Sequence, residues 1–420
     1  MSWTRDAPDS TDAGDPRVRV VSAGFVDYDR LSAAVAEADV VVAQELPARL
    51  LSRLPRLGTR LVADMYNPTV FEVLEAGRDK TPPARLRQQR GVAMSVIAHL
   101  AAADHVVCAS EKQRDLWLGV MAAAGLVDLR AYDVDPSLRS VIDVVPFGLP
   151  AVPPQAGSPP PIRAMFGAIA PGDRVVLWGG GVWNWLDAET VVDAIGLLEA
   201  RAARDPAAPR THLVVMGMGR PAIEELDAMS SGDRFLAHVE ASGLAGRLVH
   251  INHGWVPYEE RGAWLLEADL GISAHHDHLE TRFAFRTRVL DYLWAGLPVV
   301  ATRGDTLADL VDSHGLGATV PPEDPAALAD ALAHVLDDPG VRERAAANVA
   351  ALAPEYAWER TVLPLARFCA TSGRGPHTGV LRAATAARYP LLLGETREAL
   401  GFRGAVRRAG RSLRRALRRQ

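Results

Sequence analysis

A chain of 420 residues that is 48% hydrophobic is long enough for two domains, each with its own core. Its formal net charge of -5 gives no ground for nucleic-acid binding by the body of the protein. Two cysteines, Cys108 and Cys369, exclude a disulfide framework and point to a reducing, cytoplasmic setting, and neither a bilayer-length apolar run nor a signal peptide is evident.

Residues 1–17 are rich in Asp, Pro, Ser, Thr and Gly without an apolar period, the composition of a disordered segment. A first α/β domain is expected over 18–150. Short buried strands are predicted at Val18–Ala23, Val40–Ala43, Leu61–Ala63, His105–Ala109 and Val141–Val145, alternating with helical stretches such as Leu31–Ala38, Ala48–Leu54 and Pro83–Ala103. Ligands of doubly wound sheets gather at the carboxyl ends of strands, which selects Asp64, Tyr66, Asn67, Ser110, Glu111 and Gly148 as candidate binding residues. Ser110 and Glu111 also read as the cap of the next helix.

A Pro-rich linker, 151–172, leads to a second α/β domain over 173–355. It opens with the strand Arg174–Trp178, the triple glycine Gly179, Gly180 and Gly181, the aromatic pair Trp183 and Trp185, and the helix Ala188–Glu199. Glycines between a strand and a helix let the backbone approach a phosphate, although triple glycines also serve simple tight turns. Strands at Leu213–Met216, Leu248–Ile251 and Ala268–Ser273 each run into glycine or polar sequence: Gly217 and Gly219, then Gly254 with Val256, then His275, His276 and His278. The three histidines could suggest a metal, but no second ligand cluster of suitable spacing accompanies them, so they read as loop or sugar-contacting side chains.

The stretch His275–Asp305 holds the densest polar chemistry. Arg286–Ala295 has helical spacing, with Val289, Leu290, Leu293 and Trp294 on one flank and Arg288 and Asp291 on another. Gly296 ends it, Val299–Ala301 reads as a buried strand, and Gly304 with Asp305 starts a further helix. A helix start flanked by arginines suits an anion, whereas Arg288 and Asp291 at this spacing would by themselves be an ordinary surface ion pair.

The run Arg288-Val-Leu-Asp291-Tyr-Leu-Trp-Ala-Gly296-Leu-Pro298-Val-Val resembles the donor-site signature of the family 4 glycosyltransferases, of the group 1 type. That resemblance implies the GT-B fold, in which two Rossmann-like doubly wound α/β domains face each other across a cleft. It implies transfer of a sugar from a UDP-, GDP- or ADP-type nucleotide donor to an acceptor hydroxyl, with retention and with no cofactor or metal required. Matching residue by residue, Asp291 would hold the ribose, Arg288 would lie near the diphosphate, and Gly254 and Val256 would bracket the base. The earlier acidic position of the signature is occupied by Phe283, so Glu280 is the nearest acidic candidate. On this reading Glu280, Arg286 and Arg288 are the catalytic set, with Arg282 a weaker candidate for the anion site. Gly179, Gly180, Gly181, Trp183, Gly254, Val256, Asp291, Gly304 and Asp305 bind the donor, and Asp64, Tyr66, Asn67, Ser110 and Glu111 face the acceptor.

The family's glycine loop usually carries an arginine and a lysine that are absent here, and its opening strand and glycine loop are not found before Val18. The first domain therefore reads as a strand or two short. These departures support one alternative, a non-catalytic subunit that pairs with an active glycosyltransferase chain; a nucleotide-sugar epimerase or hydrolase is a second, because the GT-B resemblance also implies that chemistry. A segment at 356–372 is expected to cross back to the first domain, and 373–420 is an extension. Within it, Phe402, Val406, Ala409, Leu413 and Ala416 recur at helical spacing among arginines over 402–419. That is the profile of a helix lying on an anionic membrane surface, or else of a disordered or nucleic-acid-touching basic segment; the first would make the protein peripheral on the inner face of the plasma membrane, beside a lipid-linked or cell-envelope glycan acceptor.

Overall fold

The computed structural model describes residues 17–18, 28–204, 208–218 and 230–371. Most of the strand expected at Val18–Ala23, Gly219 and the whole of the basic helix at 402–419 lie outside the described residues. The described chain forms two compact units, one built on Pro146–Leu363 and one on Ser32–Val145, to which the chain returns from Pro364.

Among the described residues, the smaller unit carries four parallel strands, β1 Val40–Ala43, β2 Arg60–Asp64, β3 His105–Cys108 and β4 Ile142–Val144, in the spatial order β1-β2-β3-β4. Leu61, Val62, Ala63, Val106 and Ile142 are fully shut off from solvent, as expected of parallel strands covered on both faces. The edge strand β1 is less protected, with Val42 exposed. The helix Glu111–Ala123 buries Trp117 and Met121, and Trp117 Nε1 donates to the Met65 carbonyl at 2.8 Å. Where one helix is expected over Ala48–Leu54 there are two short ones, Ala48–Leu51 and Leu54–Leu57, because Pro55 cannot continue the first helix's hydrogen bonding.

The larger unit holds six parallel strands: β5 Arg174–Trp178, β6 Thr211–Val215, β7 Val249–Ile251, β8 Leu270–Ser273, β9 Val299–Thr302 and β10 Gly317–Val320. Their order is β10-β9-β8-β5-β6-β7. The chain therefore winds outward from β5 to β7, returns to the other flank of β5, and winds outward again. The reversal falls between β5 and β8, which pair Val176 with Leu270 and Leu177 with Gly271. A crevice opens at such a reversal, since the loops on either side leave in opposite directions.

Burial explains why these runs are strands. Val175–Trp178, Leu270–Ser273 and Val299–Thr302 are buried at every position, so neither face tolerates a polar alternation. The core sets Val176, Trp178, Leu213, Ile272 and Val300 of the sheet against Val191, Val192 and Ile195 of the helix Ala188–Ala202 and Leu328, Leu332 and Val335 of Pro325–Asp337. Each such side chain contributes on the order of 1.5–3 kcal/mol on leaving water. The Pro-rich stretch expected as a linker is fastened to this unit. The Glu267 carboxylate accepts the Ile162 and Arg163 amides at 2.6 and 2.8 Å, and Trp294 Nε1 donates to the Val152 carbonyl at 2.9 Å.

Candidate functional site

The helix Thr287–Trp294 is positioned by Tyr292. Its ring lies against Gly271 of β8, where an added Cβ would come within 2.3 Å of the ring, so only glycine admits it. The Tyr292 hydroxyl stands 2.9 Å from both the Leu177 carbonyl of β5 and the Ile272 carbonyl of β8, and accepts the Gly179 amide at 2.8 Å. One buried phenol thus ties the two strands at the reversal to the first glycine of the loop. Burial pushes its pKa up to about 12, so it remains a neutral donor.

Held this way, the helix points Arg288 at the glycine loop. Arg288 Nη2 donates to the Gly181 carbonyl at 3.1 Å, and its guanidinium lies 4.4 Å over the Trp178 ring. No carboxylate pairs with it among the described residues, and its Nη1 is buried without a hydrogen-bond partner. Burial, with a smaller contribution from nearby Arg286, brings its pKa down to about 10, which leaves it charged at neutral pH. The surface ion pair with Asp291 that the spacing allowed does not form. Asp291 instead meets Arg261 at 3.2 Å, while burial raises its pKa against the pull of Arg261 and Arg288. Arg261 in turn lies 3.4 Å over the Tyr258 ring.

Arg286 has a different fate from Arg288. Its Nη1 and Nη2 donate to the two oxygens of Glu280 at 3.0 and 2.6 Å, and both residues are buried. Asp305 stands 3.8 Å from Arg286 Nε and 3.4 Å from His275 Nε2, and caps the helix Thr306–His314 by accepting the Ala308 amide at 2.6 Å. Burial alone would raise the Asp305 carboxyl, but His275, Arg286 and the Ala308 amide together hold it below its ordinary value. Glu280 and Arg286 are therefore spent on each other. The sequence expectation placed Glu280 and Arg286 with Arg288 in the catalytic set, and the structure brings the first two together as this bidentate pair. Arg282 is exposed, with its guanidinium 6.0 Å from the Phe283 ring.

The remaining donor-side residues share the carboxyl edge of the same sheet. Gly180 sits at φ 114° and Gly304 at φ 133°, conformations that side chains rarely adopt. Gly254 donates its amide to Asn252 Oδ1 at 2.9 Å, Val256 is buried, and the neighbouring Trp255 is exposed. Trp183 and Trp185 stack on each other at 5.9 Å and pack on the core. Ser273 Oγ and Thr306 Oγ1, which the sequence does not single out, are also buried without partners among the described residues.

The smaller unit brings its candidates to the carboxyl ends of β2 and β3. Burial raises the Asp64 carboxyl, opposed by Gln44, whose amide donates at 3.4 Å. The Tyr66 carbonyl accepts Gln113 Nε2 at 2.7 Å, and Asn67 opens the turn before the helix Thr69–Ala76. Ser110 Oγ caps its helix by accepting the Gln113 amide at 3.2 Å, and Glu111 pairs with Arg139 at 2.6 Å. Those last two are used structurally.

This architecture, α/β with two parallel sheets, is the GT-B fold of glycosyltransferases, as solved structures show. HepE from Anabaena in complex with UDP superposes with a TM-score of 0.54 at 15% identity over 82% of this chain and 81% of that one. A UDP-forming trehalose-phosphate synthase from Burkholderia xenovorans gives 0.59 at 14% identity over 83% and 79%. WaaG, a glycosyltransferase involved in lipopolysaccharide biosynthesis, gives 0.53 at 17% identity over 84% and 98%. Such identities carry the fold and no more.

Within that fold, residues 173–338 match the family described as Glycosyl transferases group 1, a span that contains the glycine loop, Arg288, Asp291 and Asp305. No curated protein matches the chain. Among the described residues, no helix is long and apolar enough to cross a membrane.

Proposed function

We propose that this protein transfers a sugar from a nucleotide-sugar donor to an acceptor hydroxyl, with Arg288 as the cation that receives the donor's diphosphate. The observation that carries the reading is a part-buried guanidinium, its Nη1 shut off from water and with no carboxylate partner among the described residues, set beside a glycine loop at the strand reversal of a parallel sheet. A charge held out of water is costly unless a counter-charge arrives, and a diphosphate supplies one.

As the bond between the anomeric carbon and the diphosphate oxygen breaks, negative charge grows on the leaving group. Arg288 and the amides of the glycine loop stabilise it, while the acceptor oxygen forms the new bond to the anomeric carbon and passes its proton to an oxygen of the departing diphosphate. Asp291, on the outer face of the same helix, holds the ribose. The family resemblance adds retention of configuration and a cell-envelope or lipid-linked glycan as acceptor. Neighbours crystallised with UDP make UDP the first nucleotide to try.

Calorimetric titration with UDP, GDP and ADP tests the reading. Micromolar binding of one of them, lost in Arg288→Ala and weakened in Asp291→Ala, is the expected result. Folded protein that binds none of the three would sink it and favour the non-catalytic subunit.

A further inference from the structure

Beside the anion site, the same rim gathers negative charge. The segment Trp185–Asp187 runs antiparallel to Ala274–His276. Leu186 bridges His275, the Asp187 amide donates to the Ala274 carbonyl at 3.1 Å, and the His276 amide donates to the Trp185 carbonyl at 3.4 Å. That pairing sets Asp187, the cap of the helix Ala188–Ala202, and Glu189 in its first turn against His276. One ligand atom from each of Asp187, Glu189 and His276 lies within 4.8 Å of the others.

Two further observations point to a ligand. Asp187 is 2% exposed, and its oxygens are unequally used: Oδ1 accepts the Thr190 amide at 3.0 Å, whereas Oδ2 is buried with no partner among the described residues. An unpaired carboxylate oxygen out of water is unfavourable by about 1–3 kcal/mol or more unless something occupies it. His276, for its part, has Nδ1 2.7 Å from Glu323 Oε1. With a carboxylate on Nδ1, Nε2 is the ring nitrogen left to meet an ion, and a carboxylate on the other nitrogen is the usual support of a metal-bound histidine.

Charge runs the same way. Asp187, Glu189 and Glu323 converge on this spot, and the cation nearest to it in an ion pair is Arg234, 3.8 Å from Glu189 and half exposed. The cluster therefore carries more negative charge than its protein partners neutralise.

We infer that Asp187, Glu189 and His276 form a binding site for a divalent transition-metal ion of the zinc class, supported by Glu323. One imidazole with two carboxylates and no thiolate suits zinc better than calcium or magnesium, which prefer oxygen alone. Ligand atoms of a tetrahedral zinc site stand about 3.3–3.6 Å apart, so the three side chains close by roughly an ångström onto the ion. Three protein ligands leave a fourth position open. A metal here would clasp the loop after β5 to the loop after β8 and hold the glycine loop and the His275 network in register. The site is additional to the sugar-transfer reading and does not rest on it, because metal binding is measured without nucleotide.

The test uses the full chain, stripped with chelator and titrated calorimetrically with zinc chloride, with cobalt absorption as a second signal. Wild type is expected to take up one ion with micromolar or tighter affinity and to show the visible bands of protein-bound cobalt. His276→Ala and Asp187→Asn should each weaken binding at least tenfold and abolish those bands. Asn keeps the helix-capping oxygen while removing the charge, so Asp187→Asn stays informative if His276→Ala misfolds. Glu323→Gln should weaken binding severalfold, and the exposed His314→Ala should leave it unchanged. Absence of binding to folded wild type at 100-fold the protein concentration would overturn the inference. So would equal zinc affinity in wild type, Asp187→Asn and His276→Ala.

Discussion

The two ends of the six-stranded sheet use the same kinds of side chain to opposite purposes. At the amino end, Asp173 accepts the Ala170 and Arg210 amides at 3.0 and 3.1 Å and meets His212 at 3.2 Å, and His212 meets His250 at 3.0 Å. Asp269 accepts the Val175 amide at 2.8 Å. Polar groups there are satisfied by their own chain. At the carboxyl end, Arg288, Asp187, Ser273 and Thr306 each keep a buried polar atom without a partner among the described residues. Satisfied groups stabilise a fold, whereas unsatisfied ones wait for a ligand, and the strand reversal lies under the second set.

Within the carboxyl end the same contrast recurs between Arg286, neutralised by Glu280, and Arg288, which is not. Removing Glu280 should have the largest effect. Glu280→Ala leaves Arg286 buried without its bidentate partner and should lower unfolding stability by about 3–5 kcal/mol, measured by urea titration. A variant with unchanged stability and lost turnover would instead return Glu280 to the chemistry.

Arg288→Met should behave in the opposite way. It removes a strained charge, so stability should hold or rise, while turnover should fall by about 10²–10³-fold, as for loss of one leaving-group stabiliser. A drop in stability without loss of nucleotide binding would break the comparison. Gly271→Ala attacks the tie between β5 and β8. Forcing a methyl against the Tyr292 ring should cost about 1–3 kcal/mol in thermal or urea unfolding and weaken nucleotide binding, because Tyr292 also holds the Gly179 amide.

The smallest effect concerns the amino end and pH. Burial lowers His212, against Asp173, and burial with nearby His212 brings His250 down to about 4. The unfolded chain therefore takes up these protons first as pH falls. Stability should be full above about 6.5 and decline toward pH 4, by at most about 1.4 kcal/mol per pH unit for each histidine. His250→Phe should flatten the decline between pH 7 and 5, followed by urea midpoints. Nucleotide affinity measured at one pH should not change, since the hydrogen bonds of the pair run to each other and to Asp173 rather than to the glycine loop or Arg288.

Much of this was legible in the chain. Nine of the strands follow from short apolar runs, and the helix after Arg286 follows from its period and from Gly296, which stands at φ 71°. The strand Gly317–Val320 was not foreseen, because its partly exposed Gly-Ala-Thr run carries no strong apolar pattern. The helix Ser231–Ala241 is hard to read from the chain because Ser230 before it is itself helical and makes no side-chain cap bond. In the site, the sequence singled out Arg288, Asp291 and the triple glycine, but not Ser273, Thr306, Asp187 or Glu189.

Local order is written in the sequence, since strand runs, helix periods, glycine stops and the caps Ser110 and Asp305 depend on neighbours a few residues apart. Which charge is spent and which is left available is decided only by tertiary structure. Arg286 and Arg288 are two residues apart and chemically identical, yet Glu280 neutralises one and the Gly181 carbonyl, 107 residues away, receives the other. Asp187 and His276 look unrelated along the chain until an antiparallel pairing of two loops brings them together. A side chain's partner is set by the packing of distant strands, and desolvation then makes each pairing, or its absence, count.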